Sequence, residues 1–359
     1  MHLVNEDKNG AYIGATANFL KKFVTKESNP NFDIFDSQDG YNRVIIAKSS
    51  RLPDDDDLGT GKYGINFHRA LPSYKEALRY KTGIPYALET RQINDLAFGA
   101  DSKEEYERKA AVWNHFYTFI WDLNPQTLWI TPHSGSIARP PDEIIPWPYL
   151  EMDAYVAGIA ALCAFKNSNK PLKRIMISIH SHNWLGAILD LGGFGILEEQ
   201  RLADIARKIE TKYHEKVQVL AEECKKDFSI RAIKWLTHIK NIRGTLVPED
   251  LKGQYALDRS VVLNITRSLQ LYGKEIREFQ LAEFQAAINS LGGTELKVIS
   301  CNHLFAAKHI AELIKITNKI DSALLSSALQ IECLKLYLKK EPELISNIIL
   351  DVKKELFST

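Results

Sequence analysis

Apolar and polar side chains recur along the chain with two periods, one typical of strands and one typical of helices. Short apolar runs at residues 43–48, 127–131 and 172–179 predict buried strands. Residues 150–165 and 196–224 carry apolar groups over longer stretches at helical spacing, which predicts two helices. This order indicates an α/β fold, with a mostly parallel mixed sheet flanked by helices.

The pattern changes near residue 229. Helical periodicity predominates beyond that point, notably over residues 321–339, and residues 296–300 form one of few predicted strands. We therefore predict an α/β domain over residues 1–228 and a mainly helical C-terminal domain or extension over residues 229–359. The apolar stripe of the C-terminal helices is expected to be intramolecular core, and a homodimer contact through these helices is the alternative.

Composition and charge restrict the classes of function. The 359 residues are 45% apolar and 25% charged with a formal net charge of +1, so neither nucleic acid nor an anionic membrane is an expected partner. The N-terminal residues do not resemble a signal peptide, and no apolar run approaches the roughly 20 residues of a membrane helix. The four cysteines are far apart and form no Cys-x-x-Cys pair, which favours reduced thiols in a cytoplasmic protein: Cys163, Cys224, Cys301 and Cys333.

Two histidine motifs each follow a predicted strand. His133 lies in the turn Thr-Pro-His-Ser-Gly directly after residues 127–131, and Ser-Ile-His-Ser-His places His180 and His182 at the end of the next strong strand. Alternation in an extended chain puts these last two histidines on one face. Ligand sites in open parallel sheets lie at the carboxyl ends of strands, so both motifs are candidate site positions.

Acidic residues lie between the two histidine motifs. Glu151 and Asp153 come at the start of the predicted helix 150–165. Two histidines and one carboxylate, with the fourth position left to water, are a common ligand set of catalytic zinc. Zinc lowers the pKa of that water to about 7, which makes it a nucleophile at neutral pH. The alternative is that the histidines are satisfied polar groups at strand ends and that Glu151 is a helix-start acid.

The order Pro-His-Ser-Gly, then Glu-Met-Asp opening a helix, then Ile-Ser-Ile-His-Ser-His resembles the zinc amidohydrolases of the phosphorylase/hydrolase-like fold. The N-acetylmuramoyl-L-alanine amidases and the N-formylglutamate amidohydrolases are the two branches concerned. The resemblance implies that His133, Glu151 and His180 hold one Zn²⁺ or similar divalent ion. Asp153 is the competing carboxylate and His182 the competing histidine.

A second part of the resemblance lies upstream. The segment Ile-Pro-Tyr-Ala-Leu-Glu-Thr-Arg, with Glu89 and Arg91, is similar to the final strand of these families, which carries the catalytic glutamate. Because it precedes His133 here, a circularly permuted arrangement is expected. Glu89 would then be the general base and Arg91 would hold a substrate carboxylate or polarise a carbonyl, while a surface ion pair is the alternative for these two.

Three further residues are weaker candidates for the same site. His68 and Arg139 are candidates for substrate contact, and His238 is a rival metal ligand if residues 230–239 form a strand rather than the expected helix. The sequence thus predicts a zinc-dependent hydrolase that cleaves an amide bond in an N-acyl amino acid or peptide-like substrate. The alternatives are a non-catalytic binding or structural protein on the same fold and a metal-dependent hydrolase of a non-amide bond.

Overall fold

A computed structural model describes residues 19–28, 32–47, 125–131, 155–168, 174–182, 185–193, 199–228, 296–301 and 327–357, and the strands within these ranges form one eight-stranded sheet. The strands are β1 (Phe23–Ser28), β2 (Phe32–Ser37), β3 (Asn42–Ala47), β4 (Thr127–Thr131), β5 (Ile175–His182), β6 (Ala187–Gly193), β7 (Lys297–Ser300) and β8 (Ser327–Leu334). The helices are α1 (Val156–Lys166), α2 (Glu199–Gln218), α3 (Lys335–Lys340) and α4 (Pro342–Phe357), and residues 221–228 are also helical.

The strand order is β1-β2-β3-β4-β5-β8-β6-β7. The central strands β3, β4, β5 and β8 all run parallel, so their carboxyl ends meet at one edge of the sheet. Antiparallel strands flank this block, because β2 pairs antiparallel with β3 and β6 pairs antiparallel with β8. The predicted α/β class with a mostly parallel mixed sheet is therefore confirmed.

The position of β8 corrects one prediction. Residues 327–334 are a central strand between β5 and β6, and not part of a helix over 321–339. Their apolar side chains fit a helical spacing, but Leu329, Ile331 and Cys333 also alternate with Gln330 and Glu332, and so short a run does not distinguish the two periods. The C-terminal region therefore supplies β7 and β8 to the same sheet, while the predicted division at residue 228 stays a prediction.

Other element boundaries were predicted to within a few residues. The strands expected at 43–48, 127–131 and 296–300 are confirmed as β3, β4 and β7, and the strand expected at 172–179 runs slightly later, as β5. The helix expected at 150–165 corresponds to α1, and the helix expected at 196–224 corresponds to α2 and the helical residues 221–228. Three strands, β1, β2 and β6, were not predicted.

The helices cover one face of the sheet. α1 contacts β3, β4 and β5 on one side and α4 on the other, which is why eight of its eleven residues are buried. α4 also contacts α2, and its apolar residues Ile345, Ile348, Ile349 and Val352 are completely shielded from solvent. These helices and Ile177, Ile179, Leu329 and Ile331 of the sheet form one apolar core. None of the helices that the structure describes is long and apolar enough to cross a lipid bilayer.

Candidate functional site

Two of the predicted site residues, His180 and His182, are among the residues that the structure describes. The other candidates lie outside the described residues: Glu89, Arg91, His133, Glu151, Asp153, His68, Arg139 and His238. β5, the strand that carries both histidines, is therefore the described part of the predicted site.

His180 and His182 are the last two residues on one face of β5, at the carboxyl end of the strand. The strand continues through His182, so the prediction that both histidines share one face is confirmed. Ile179, between Ser178 and His180, belongs to the apolar core beneath the helices. The histidines therefore project from the opposite face of the sheet, and both are nevertheless buried, each with 3% relative exposure.

A row of polar residues crosses the sheet beside His180. Register pairs His180 of β5 with Glu332 of β8, Glu332 with Asp190 of β6, and Asp190 with Ser300 of β7. Laterally paired residues share a face, and neighbouring strands are about 4.8 Å apart. We call these four residues the polar row; all are buried, with 2–7% relative exposure. Buried charged groups are costly unless they are paired, hydrogen-bonded or bound to a ligand.

The row of laterally paired residues next to the polar row contacts it through Gln330. Gln330 lies two positions before Glu332 on β8, and its Nε2 donates a hydrogen bond to Glu332 Oε1 at 2.7 Å. Its lateral neighbours are Ser178 on β5 and Gly192 on β6. The small neighbours leave the amide of Gln330 free to turn along the strand toward the carboxylate. Gln330 and Glu332 are buried, and both are therefore part of the interior of the site.

Sequence reasoning missed Asp190, Gln330 and Glu332. The one signal for Gln330 and Glu332 is the alternation of polar with apolar residues in this segment, which is compatible with a strand that has one polar face as well as with a helix. Asp190 is likewise the acidic residue in the otherwise apolar β6 segment Ala-Ile-Leu-Asp-Leu-Gly-Gly. Their position beside His180 could not be inferred, because it depends on β8 pairing with both β5 and β6.

The described residues do not form a complete metal site. No group of three or more His, Cys, Asp or Glu side chains within the described ranges is arranged to hold a metal ion. The predicted set of His133, Glu151 and His180 has a single member, His180, in that part of the chain. The ligand assignment therefore stays a prediction.

A second buried polar cluster lies at the opposite edge of the parallel block, where β3 and β4 begin. Asn42 Oδ1 accepts hydrogen bonds from Trp129 Nε1 at 3.0 Å and from Asn167 Nδ2 at 2.8 Å. Lys353 of α4 donates from Nζ to Asn167 Oδ1 at 3.0 Å. Burial lowers the pKa of the Lys353 ammonium to about 8. This cluster connects α4 and the end of α1 to the sheet, and it is remote from the polar row.

Three of the four cysteines are unsuited to nucleophilic chemistry. All four are free thiols. Burial raises the pKa of Cys163 far above its ordinary value, raises that of Cys224 to about 12, and raises that of Cys301 to about 11, where Asp190 adds to the effect. A thiol is nucleophilic as its thiolate, so these three are inert at neutral pH.

Comparison of the sequence with protein-family models and with curated proteins, and of the structure with solved structures, gives no match.

Proposed function

We propose that the protein is a metal-dependent hydrolase that cleaves amide bonds of N-acyl amino acids or peptide-like substrates at the carboxyl edge of β4, β5 and β8. The observation that carries this proposal is the lateral pairing of buried His180 with buried Glu332 at that edge. An imidazole and a carboxylate side by side are the groups that metal binding and proton transfer require. The carboxyl edge of parallel strands is also where open α/β sheets bind their ligands.

Chain connectivity supports His133 as a partner of His180. β4 ends at Thr131 and is the parallel neighbour of β5, with Ile130 opposite Ser178. His133 follows Thr131 by two residues, a length of chain that spans at most about 7 Å. With His180 and either Glu151 or Asp153, it would complete a two-histidine, one-carboxylate set that suits Zn²⁺. A bound Zn²⁺ would polarise the scissile carbonyl and make water acidic enough to attack at neutral pH.

The residues of the chain would position the substrate and move the proton. Glu332, the lateral neighbour of His180, would take a proton from the attacking water and pass it to the leaving amine, a role that the resemblance gives to Glu89. Arg91, Arg139 and His68 stay candidates for holding the substrate. Glu332 is proposed beside Glu89 for this role because Glu332 is the lateral neighbour of His180, whereas Glu89 lies outside the described residues.

The backbone at the start of α1 adds support. Tyr155, which precedes the first residue of α1, has a φ of 72°, and it is the one non-glycine residue with positive φ in the described ranges. Such a conformation costs on the order of 1 kcal/mol or more and is concentrated at functional sites. Tyr155 follows Glu151 and Asp153 closely, so the strained residue lies next to the predicted acidic ligands.

Metal analysis of protein purified without added metal is the direct test. We expect about one equivalent of zinc in the wild-type chain, and its loss in His133→Ala and His180→Ala. His214→Ala is the matched control, because His214 lies on α2 and its Nδ1 is 3.1 Å from Glu210 Oε1, away from the polar row. Unchanged metal content in all three variants, or no stoichiometric metal in the wild type, would refute the metal site.

Activity separates the remaining alternatives. The wild-type chain is screened against N-formyl and N-acetyl amino acids and short peptides, with esters and phosphate esters in parallel, each with and without chelator. Chelator-sensitive cleavage of amides supports the proposal, and cleavage of esters or phosphates alone favours hydrolysis of another bond. A metal-bearing chain without any hydrolytic activity favours a binding protein.

Because the cysteines are free thiols, we also propose a cytoplasmic location.

A further inference from the structure

Gln330 is held against Glu332 by the geometry of β8. The two residues are two positions apart on one strand and therefore project from the same face. The hydrogen bond from Gln330 Nε2 to Glu332 Oε1 is 2.7 Å long, short for an amide donor, and both side chains are buried.

An amide donor suits the task of fixing a carboxylate. It carries no charge and cannot titrate in the ordinary pH range, so it holds the glutamate in one rotamer without neutralising it. Buried proton-transfer groups depend on such partners, because a misplacement of about 1 Å costs on the order of 100-fold in rate. Ser178 and Gly192, the lateral neighbours of Gln330, have a small side chain and none, so they leave space for the Gln330 side chain.

We infer that Gln330 is a positioning residue, which orients the Glu332 carboxylate for proton transfer in the hydrolysis proposed above. This inference rests on the proposed function. It adds that the catalytic unit on β8 is the pair Gln330–Glu332 and not the glutamate alone. Because Gln330 would act through the Glu332 carboxylate, it should affect the rate of the chemical step rather than the binding of substrate.

The test compares steady-state kinetics of variants on the best substrate from the panel of N-acyl amino acids. Gln330→Met keeps the side-chain length and removes the donor. We expect kcat to fall about 10- to 100-fold, the range typical of outer-shell partners, with KM changed less than about threefold. Gln218→Met is the matched control, because Gln218 Nε2 donates an equally short bond of 2.7 Å to Leu296 O on the helical side of the sheet. We expect its kcat to stay unchanged.

A double-mutant cycle separates positioning from a general structural role. In the Glu332→Gln background, Gln330→Met should reduce kcat no further, because the group that it orients is already gone. A merely structural defect would instead multiply the two losses. Gln330→Asn, which withdraws the donor by one methylene, is a second variant in case Gln330→Met does not fold, and it should lower kcat in the same direction.

The outcomes are distinguishable. An active wild type with an unaffected kcat in the Gln330 variants, or with independent effects in the cycle, overturns the role of Gln330 and leaves the hydrolase intact. A wild-type chain that cleaves nothing in the panel overturns both the proposed function and the inference.

Discussion

Lys353 offers the sharpest test of the energetics of the fold. It is a lysine on α4 with 3% relative exposure, and its Nζ donates a hydrogen bond to the amide oxygen of Asn167 at 3.0 Å. Burial lowers its pKa from 10.5 to about 8, because an ammonium loses hydration in the interior. The unfolded chain therefore binds more protons than the folded chain between those two values. Stability should consequently rise with pH across that window and be lowest below it, where Lys353 is charged in both states.

The magnitude follows from the shift. A difference of about 2.5 pKa units corresponds to about 3 kcal/mol, and integration gives a gain of about 2 kcal/mol between about pH 7 and about pH 9.5. Lys353→Met keeps the aliphatic volume and removes the titrating group, so this gain should vanish from the variant. At neutral pH the free energies of unfolding of the variant and the wild type should differ by less than this gain, because the lost hydrogen bond offsets the relieved desolvation of the ammonium.

Urea unfolding at several pH values measures the effect as the difference between wild type and variant. The difference removes the contributions of groups common to both chains, including Tyr41, whose pKa burial raises. Lys354→Met is the matched control, since Lys354 is the exposed neighbour of Lys353 on α4. We expect the control to follow the wild type at every pH. If the difference between wild type and Lys353→Met stays flat from about pH 7 to about pH 9.5, the desolvation argument for Lys353 is refuted.

Three further predictions concern the rest of the fold. Trp129→Phe removes the buried hydrogen bond to Asn42 and should lower the free energy of unfolding by about 1–3 kcal/mol in urea titrations; no loss would mean that the bond is unimportant. Cys163 and Cys224 should react with an aromatic disulfide reagent only after unfolding, and rapid reaction of the native protein at neutral pH would contradict their burial. Lys212→Met should change stability by less than about 1 kcal/mol, since its bond to Asp351 is solvent-exposed; a larger, salt-insensitive loss would contradict this.

The local pattern of the chain was enough for several elements. The apolar residues of β4 and β5 predict buried strands, and the burial of both strands bears this out. Period-two alternation predicts that His180 and His182 share a face, because that geometry is set by neighbouring residues alone. The end of β4 two residues before His133 is similarly local. The positions of His133, His180 and His182 relative to the ends of β4 and β5 were therefore predictable from the sequence.

The tertiary structure decided which acidic residue lies beside the histidines. The segment that forms β8 has apolar residues compatible with either a helix or a strand, and pairing with β5 and β6 selects the strand. That pairing brings Glu332 between His180 and Asp190, although these residues are distant in sequence. The sequence by itself thus determined the α/β class, the strand that carries the histidines and the face they occupy. Which acid lies beside them depends on non-local hydrogen bonds between strands, and no periodicity within a single segment encodes that choice.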